Sequence, residues 1–411
     1  MKIGMQSWGT EGDIRPFIAL AAGLSGSGHH VTLSATGVRK FDYGGFGGKY
    51  GFQVIQPGDA HLSETEYREL GRRMVKAVIP PRRARLLIEN LLNPCLNEMF
   101  STAMEMCESC DLVIGHLFAY SLRAAAVKTG TPLVLLQTTP LIPSSHVSPP
   151  GWPNFLHTLG WKVFQLGLDM IWKPGMAKFH RSWGVEEPGC ILKDVFACNR
   201  LNLVAVSPSL FPADGMEGYH FCGSLALPDE EHELPGEIEE FLNEGPPPVF
   251  VTFGSMLPGE WDHRELLSEV SQAIELAGVR GIFQTGTAGR VSDSLITVDR
   301  LSHASIFPEC AAVVHHCGCG TSHSACAAGV PSVAVPYTAD QPMWAQLLRN
   351  AGVAPRAVPR IRFTPSKLAA ALRRVLNDEA FSLRAKEIGR SMAREEGAAA
   401  AVKLIEDEFG G

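Results

Sequence analysis

AAVVHHCGCGTSHSACAAG, residues 311–329, decides how the chain is read. An apolar run of strand length leads in, a small-residue helical run leads out, and Gly318 and Gly320 sit at the junction. Glycine there permits backbone dihedrals that other residues avoid and lets a ligand approach the main chain. Thr321 and Ser322 then open a helix, whose unpaired N–H groups and dipole favour an anion. His315, His316, Cys317 and Cys319 also carry metal-ligating atoms. Adjacent residues at a strand end point to opposite sides, so His315 and His316 do not converge on one ion. The sequence offers no second ligand cluster, and no metal is expected. With the strand PSVAVPY (331–337) that follows, the stretch reads as a βαβ unit whose turn is a phosphate cradle or else a purely structural turn, and such units build parallel sheets.

The same alternation extends outward. KIGMQSW (2–8) predicts a buried strand, GTEGD (9–13) a glycine-rich turn, IRPFIALAAGLSGSG (14–28) a helix with Pro16 in its first turn, and HVTLSAT (30–36) a second strand. CDLVIGH (110–116), AYSLRAAAVKTG (119–130) and TPLVLLQTT (131–139) repeat strand, helix, strand. Residues 140–185 break the rhythm and hold Trp152, Trp161, Trp172 and Trp183. After NLVAVSP (202–208), an acidic Pro/Gly-containing stretch precedes a restart at PVFVTFGSM (248–256). A chain of 411 residues exceeds one ordinary core. The expected organisation is an N-terminal Rossmann-like domain (1–221), a linker (222–248), a second Rossmann-like domain (249–395), and a C-terminal helix (396–411) packing back on the first. This is an α/β fold of two facing doubly wound parallel sheets. Ligands bind such sheets at the carboxyl ends of their strands, so an interdomain cleft is the expected site.

Bulk properties narrow the function. Thirty-six basic against 43 acidic residues give a net charge of −7, which argues against non-specific nucleic-acid binding. No run of roughly 18 apolar residues suggests a membrane span, and MKIGMQSWG lacks a secretory apolar region. Ten cysteines without a signal peptide point to reduced thiols in a cytoplasm, and Cys107 and Cys110 form an isolated pair. IPPRRARLLIENLL (79–92) sets Arg82, Arg83 and Arg85 beside leucines. It suits a solvated face over a core, or transient contact with a membrane surface.

Here the sequence resembles a known family. His315-His316-Cys317-Gly318-Cys319-Gly320-Thr321, then Ala328-Gly329-Val330-Pro331, then Asp340-Gln341-Pro342, resemble HHGGAGT, AGVP and DQ of family-one glycosyltransferases. These have the GT-B fold. The similarity is to the bacterial and fungal branch that glucosylates sterols and antibiotic aglycones. GTEGDIRPFIALAAGL (9–24) is similar to that branch's GTRGDVQP segment, and VFVTFGSM (249–256) to its donor-domain entry strand. Cys317 and Cys319 depart from the pattern, as does Glu11 where arginine is usual.

The resemblance implies an inverting, metal-independent enzyme without a prosthetic group. It would move a hexose, glucose first, from a UDP-sugar to a hydroxyl of an apolar small molecule. His316 and the backbone of Gly318, Gly320 and Thr321 would hold the diphosphate, with Ser255 at its other edge. Asp340 and Gln341 would hold the sugar, although the same pair also suits a polar helix cap. Leu301 and His303 would flank the nucleobase. Asp13 would be the base. Its other reading is a helix cap, and an ordinary aspartate, with a pKa of about 4, is a weak base at neutral pH. Gly12, His116 and Trp152 would line the acceptor pocket, walled by the aromatic residues of 140–185, which also read as two amphipathic core helices. A sugar-nucleotide isomerase of the UDP-N-acetylglucosamine epimerase type on the same fold is the alternative; it would turn over its donor with no acceptor present.

Overall fold

The computed structural model describes residues 1–58, 62–76, 80–143, 149, 156–198, 200–211, 216–227, 233–254, 263–337 and 340–410. The chain divides into two compact units. Unit 1 is 1–208, 213–227 and 396–411; unit 2 is 209–212 and 228–395.

Unit 1 contains β1 (Lys2–Gly9), α1 (Glu11–Gly26), β2 (His30–Gly37), α2 (Gly44–Tyr50), β3 (Gln53–Ile55), α3 (Glu64–Lys76), α4 (Pro80–Leu87), α5 (Leu96–Ser109), β4 (Leu112–His116), α6 (Tyr120–Thr129), β5 (Leu133–Gln137), α7 (His157–Trp183), α8 (Ile191–Asp194), β6 (Leu201–Val204) and β7 (Tyr219–Phe221). Its sheet has the order β3-β2-β1-β4-β5-β6-β7, parallel throughout. Beyond Lys2 every residue of β1 is buried, as is all of β4, because helices cover both faces of a parallel sheet.

Unit 2 contains α9 (Gly236–Asn243), β8 (Val249–Thr252), α10 (His263–Ala277), β9 (Gly281–Gln284), β10 (Gly289–Arg290), β11 (Leu295–Val298), α11 (His303–Ile306), β12 (Ala312–His315), α12 (Cys319–Ala327), β13 (Ser332–Ala334), α13 (Gln341–Asn350), α14 (Pro365–Asn377) and α15 (Glu379–Met392). The sheet order is β10-β11-β9-β8-β12-β13, antiparallel only at the β10 edge. Both sheets reverse direction of growth beside their first strand, at β1/β4 and at β8/β12. Doubly wound sheets bind ligands at such switch points.

Two sequence expectations need correction. First, the helix after β1 begins at Glu11, so Pro16 lies inside it. Thr10 caps it, and the Asp13 side chain returns to the Thr10 backbone in a capping box that draws the expected turn into the helix. Second, residues 157–183 form one helix, not two. The stretch 222–248, read as a linker with a short helix, passes from one unit to the next: Cys222 and Leu225 belong to the core of unit 1, and Ile238 and Phe241 of α9 to that of unit 2. Within 79–92, Ile88, Leu91 and Leu92 are buried while Arg82 and Arg85 are exposed, which is the solvated face over a core that the sequence offered. The last helix, α16 (Ala398–Phe409), lies on α1, with Ala401, Val402 and Ile405 in the core of unit 1.

Candidate active site

In unit 2 the carboxyl ends of β8 and β12 carry the glycine turns. His316 follows β12 with its ring held between two glycines. A Cβ on Gly254 would lie 2.4 Å from His316 Cε1, and one on Gly318 would lie 2.5 Å from Nε2. Any side chain at either position displaces the imidazole. Gly254 also has a φ of 63°, in the left-handed region that favours glycine. Burial pulls the His316 pKa down to about 4, with His303 nearby lowering it further, so the ring is neutral at pH 7. Its Nδ1 is buried without a hydrogen-bond partner among the described residues. Buried polar atoms are nearly always paired, so this one is an exception.

Gly318, Gly320 and Thr321 occupy the N-cap, second and third positions of α12, among the N–H groups that a helix leaves without internal acceptors. The helix starts at Cys319, two residues before the sequence suggested. Beyond its own helix, a Cβ on Gly320 meets no atom of the described residues within 4 Å, so this glycine leaves open space over the helix end. Cys319 Sγ lies 3.5 Å from His323 Nδ1.

Cys317 has a φ of 65°, the one positive value at a non-glycine among the described residues. Its thiol is fully buried, and its N–H donates to His315 Nδ1 at 3.2 Å. A left-handed L-residue costs on the order of 1 kcal/mol. The turn therefore demands glycine geometry, and this chain meets it with a strained cysteine. Cys317→Gly is expected to be about 1 kcal/mol more stable than Cys317→Ala by denaturant titration, reversing the usual cost of glycine.

A polar network missed in the sequence braces these turns. Thr252 Oγ1 accepts from the Gly254 N–H (3.2 Å) and from Gln284 Nε2 (3.4 Å), and Gln284 Oε1 accepts from the Leu301 N–H (3.3 Å). His303 stacks on Phe307 with centroids 4.3 Å apart. Asp340 precedes α13 and accepts from Trp344 Nε1 at 3.0 Å; Gln341 Oε1 accepts from the Tyr337 N–H at 2.7 Å. Both side chains therefore have structural anchors, the indole being fully buried. Ser255 lies outside the described residues, as does Trp152.

In unit 1 the switch point carries Asp13 and His116. Asp13 Oδ2 accepts from the Thr10 N–H (2.8 Å) and hydroxyl (3.0 Å), while Oδ1 lies 3.7 Å from His116 Nε2. The carboxylate curls back over Gly9, where a Cβ would sit 2.3 Å from Oδ2 and φ is 143°. A quarter of the Asp13 side chain is exposed. Burial raises its pKa from 3.8 to about 6, against the lowering by the Thr10 hydrogen bonds. Burial pulls His116 down to about 3, so it is a neutral neighbour. Gly12 sits beside Asp13 in the first turn of α1.

Glu11, unexplained from sequence, ties this turn down. It accepts from the Tyr43 hydroxyl (2.8 Å) and pairs with Arg15 (2.9 Å). His116 touches Phe17 and Phe118 edge-on, and Phe118 stacks on Trp172 of α7 at 5.5 Å. Trp8 meets Phe118 edge-on, and its Nε1 is buried without a partner among the described residues. An aromatic wall thus stands beside the carboxylate, and Trp8 and Phe118 were not singled out in the sequence.

Known proteins are similar to this chain over its whole length. A sequence profile of the C-terminal domain of erythromycin biosynthesis protein CIII-like proteins matches residues 283–407. The chain is 28% identical to O-mycaminosyltylonolide 6-deoxyallosyltransferase of Streptomyces fradiae, over 99% of this chain and 97% of that protein. It is 26% identical to a sterol 3-beta-glucosyltransferase of Arabidopsis thaliana, over 98% of this chain and 67% of that one. The chain is thus similar along its whole length to glycosyltransferases named for antibiotic and sterol acceptors. The fold agrees: the crystal structure of the glycotransferase of kitacinnamycin matches it with a TM-score of 0.71 over 99% of both chains, at 20% identity. Both units are the Rossmann-like domains of GT-B, and the enzyme is a sugar-transferring transferase. Among the described residues, no helix is long and apolar enough to cross a membrane.

Proposed function

We propose that this glycosyltransferase moves a hexose, glucose first, from a UDP-sugar to a hydroxyl of an apolar small molecule, with inversion. One observation carries the donor side: a neutral His316 wedged between Gly254 and Gly318 at the start of α12, with an unpaired ring nitrogen. The imidazole donates a hydrogen bond to the diphosphate, and the N–H groups at Gly318, Gly320 and Thr321 supply the rest. Fixed donors of this kind oppose the charge that builds up on the departing phosphate oxygen. Ser255 completes the phosphate edge, Leu301 and His303 flank the base, and Asp340 and Gln341 take the sugar hydroxyls.

The acceptor oxygen attacks the anomeric carbon as the bond to the phosphate oxygen breaks. The acceptor's proton passes to Asp13. A pKa of about 6 makes this carboxylate a better base than an ordinary aspartate, yet leaves it ionised at neutral pH. Gly12, His116 and Trp152 border the acceptor, with Trp8 and Phe118 added as its apolar wall. This suits a sterol-, lipid- or polyketide-like alcohol. Ten free thiols fit a reducing cytoplasm.

The two curated relatives carry different sugars in their names, a 6-deoxyallosyl group and glucose, so donor choice is the point to test. A matrix of UDP-glucose and dTDP-6-deoxyhexoses against apolar alcohols, read by mass, is expected to give a glucoside. Product only from the dTDP-sugars would overturn the donor assignment. Conversion of a UDP-sugar without any acceptor would favour the isomerase.

A further inference from the structure

α7 presents apolar side chains on two opposite faces. Trp161, Trp172, Met176 and Phe179 face the core. Outward, Leu159 is 52% exposed, Val163 43%, Leu166 62% and Met170 79%. At 3.6 residues per turn these four fall in one stripe about 60° wide. Nine large hydrophobic residues are exposed among the described residues; four lie in this stripe, and the other five, such as Val127 and Leu383, are scattered. Scattered exposure needs no explanation, but a stripe on a surface helix contradicts the usual polar outer face.

The surroundings of the stripe say what covers it. α7 carries Lys162, Lys173, Lys178 and Arg181 against a single acid, Asp169. Asp169 is already engaged by Lys173 and by the Ile191 N–H. Lys162 and Lys173 border the stripe on one side and Lys178 on the other. Lys162 and Lys178 are exposed and have no ion-pair partner among the described residues. α4, with exposed Arg82 and Arg85, packs against α7. The apolar area is on the order of 400 Å², about half of the ~800 Å² each partner contributes to a stable dimer. A shallow apolar ridge rimmed by lysines matches an interfacial helix, whose lysines reach lipid headgroups while the ridge enters the acyl boundary.

We propose that the outer face of α7 docks on an anionic lipid bilayer. The proposal does not rest on the transferase chemistry. It transfers the membrane contact considered for residues 79–92 to a segment whose apolar side chains are outside.

Co-sedimentation tests it, with full-length protein and vesicles of phosphatidylcholine alone or mixed with phosphatidylglycerol. The wild type is expected to pellet with the anionic vesicles and stay in solution with the neutral ones. Leu166→Glu/Met170→Glu should lower anionic-vesicle binding at least tenfold. Lys162→Gln/Lys178→Gln should lower it severalfold, as should added salt. Thermal unfolding confirms that both variants are folded, and neither pair belongs to the donor or base machinery. Failure to pellet with anionic vesicles, equal pelleting with neutral ones, or binding untouched by the glutamates overturns the proposal. So does a concentration-dependent dimer that the glutamates dissolve, which would assign the stripe to a second copy of the chain.

Discussion

Asp13→Asn lowers kcat by roughly 10²–10⁴, the usual contribution of a general base, while UDP binding stays at the wild-type level. Asparagine is the informative replacement because its side-chain oxygen can still accept from the Thr10 N–H, so the capping box at the start of α1 survives. Asp13→Ala removes both roles and adds a cap loss of about 1 kcal/mol. The wild-type pH profile should carry the same signature. The active form is the carboxylate, so kcat/KM falls as pH drops through about 6. Stability moves the other way. A carboxyl whose folded pKa is raised from 3.8 to about 6 favours the folded state when protonated. Its contribution is full at low pH, declines from pH of about 4, and is gone above about 6. Asp13→Asn escapes that decline, so its thermal stability gains on the wild type as pH rises across that window. An inactive variant whose unfolding is unchanged at every pH would separate catalysis from any burial penalty.

His316→Ala weakens UDP binding by roughly 10- to 100-fold, the scale of a lost hydrogen bond to a charged group. Gly318→Ala and Gly254→Ala should reproduce much of that loss without touching the histidine. Each new methyl would stand within 2.5 Å of the ring and must push it aside. Gly320→Ala tests the ligand rather than the ring. Beyond its own helix its methyl meets no atom of the described residues within 4 Å, so folding is spared while the space over the helix end is filled. Isothermal titration with UDP reads all four variants. A Gly320→Ala protein that binds UDP normally would mean that the diphosphate does not lie over α12.

Much of the fold was legible because parallel strands buried on both faces read as apolar runs, and βα alternation implies a doubly wound sheet. KIGMQSW and CDLVIGH lie on β1 and β4, neighbours at the switch point. The start of α1 was missed although Thr10 and Asp13 have capping-box spacing, with aspartate in place of the usual glutamate. The helical pattern of 157–183 was legible, but not that one helix, α7, continues through Pro174, since proline normally ends a helix. Here it faces solvent, where water can satisfy the carbonyl that loses its N–H partner.

At the site, HHCGCGT gave the turn but not its strain, since a φ of 65° at Cys317 follows from the path between β12 and α12. The clamp on His316 was not legible either. It joins Gly254 and Gly318, 64 positions apart, through tertiary approach alone. The same holds for Trp344 beneath Asp340, and for His116 beside Asp13. Spacing finds residues that share a turn; it does not find those that meet across a sheet.

The proposed donor site seats a nucleotide diphosphate on the first turn of α12 against His316. Titrating UDP into the wild type, Asp13→Asn and His316→Ala tests it most directly. Equal affinity is expected for the first two proteins and a loss of at least tenfold for the third. Equal affinity in all three would contradict it.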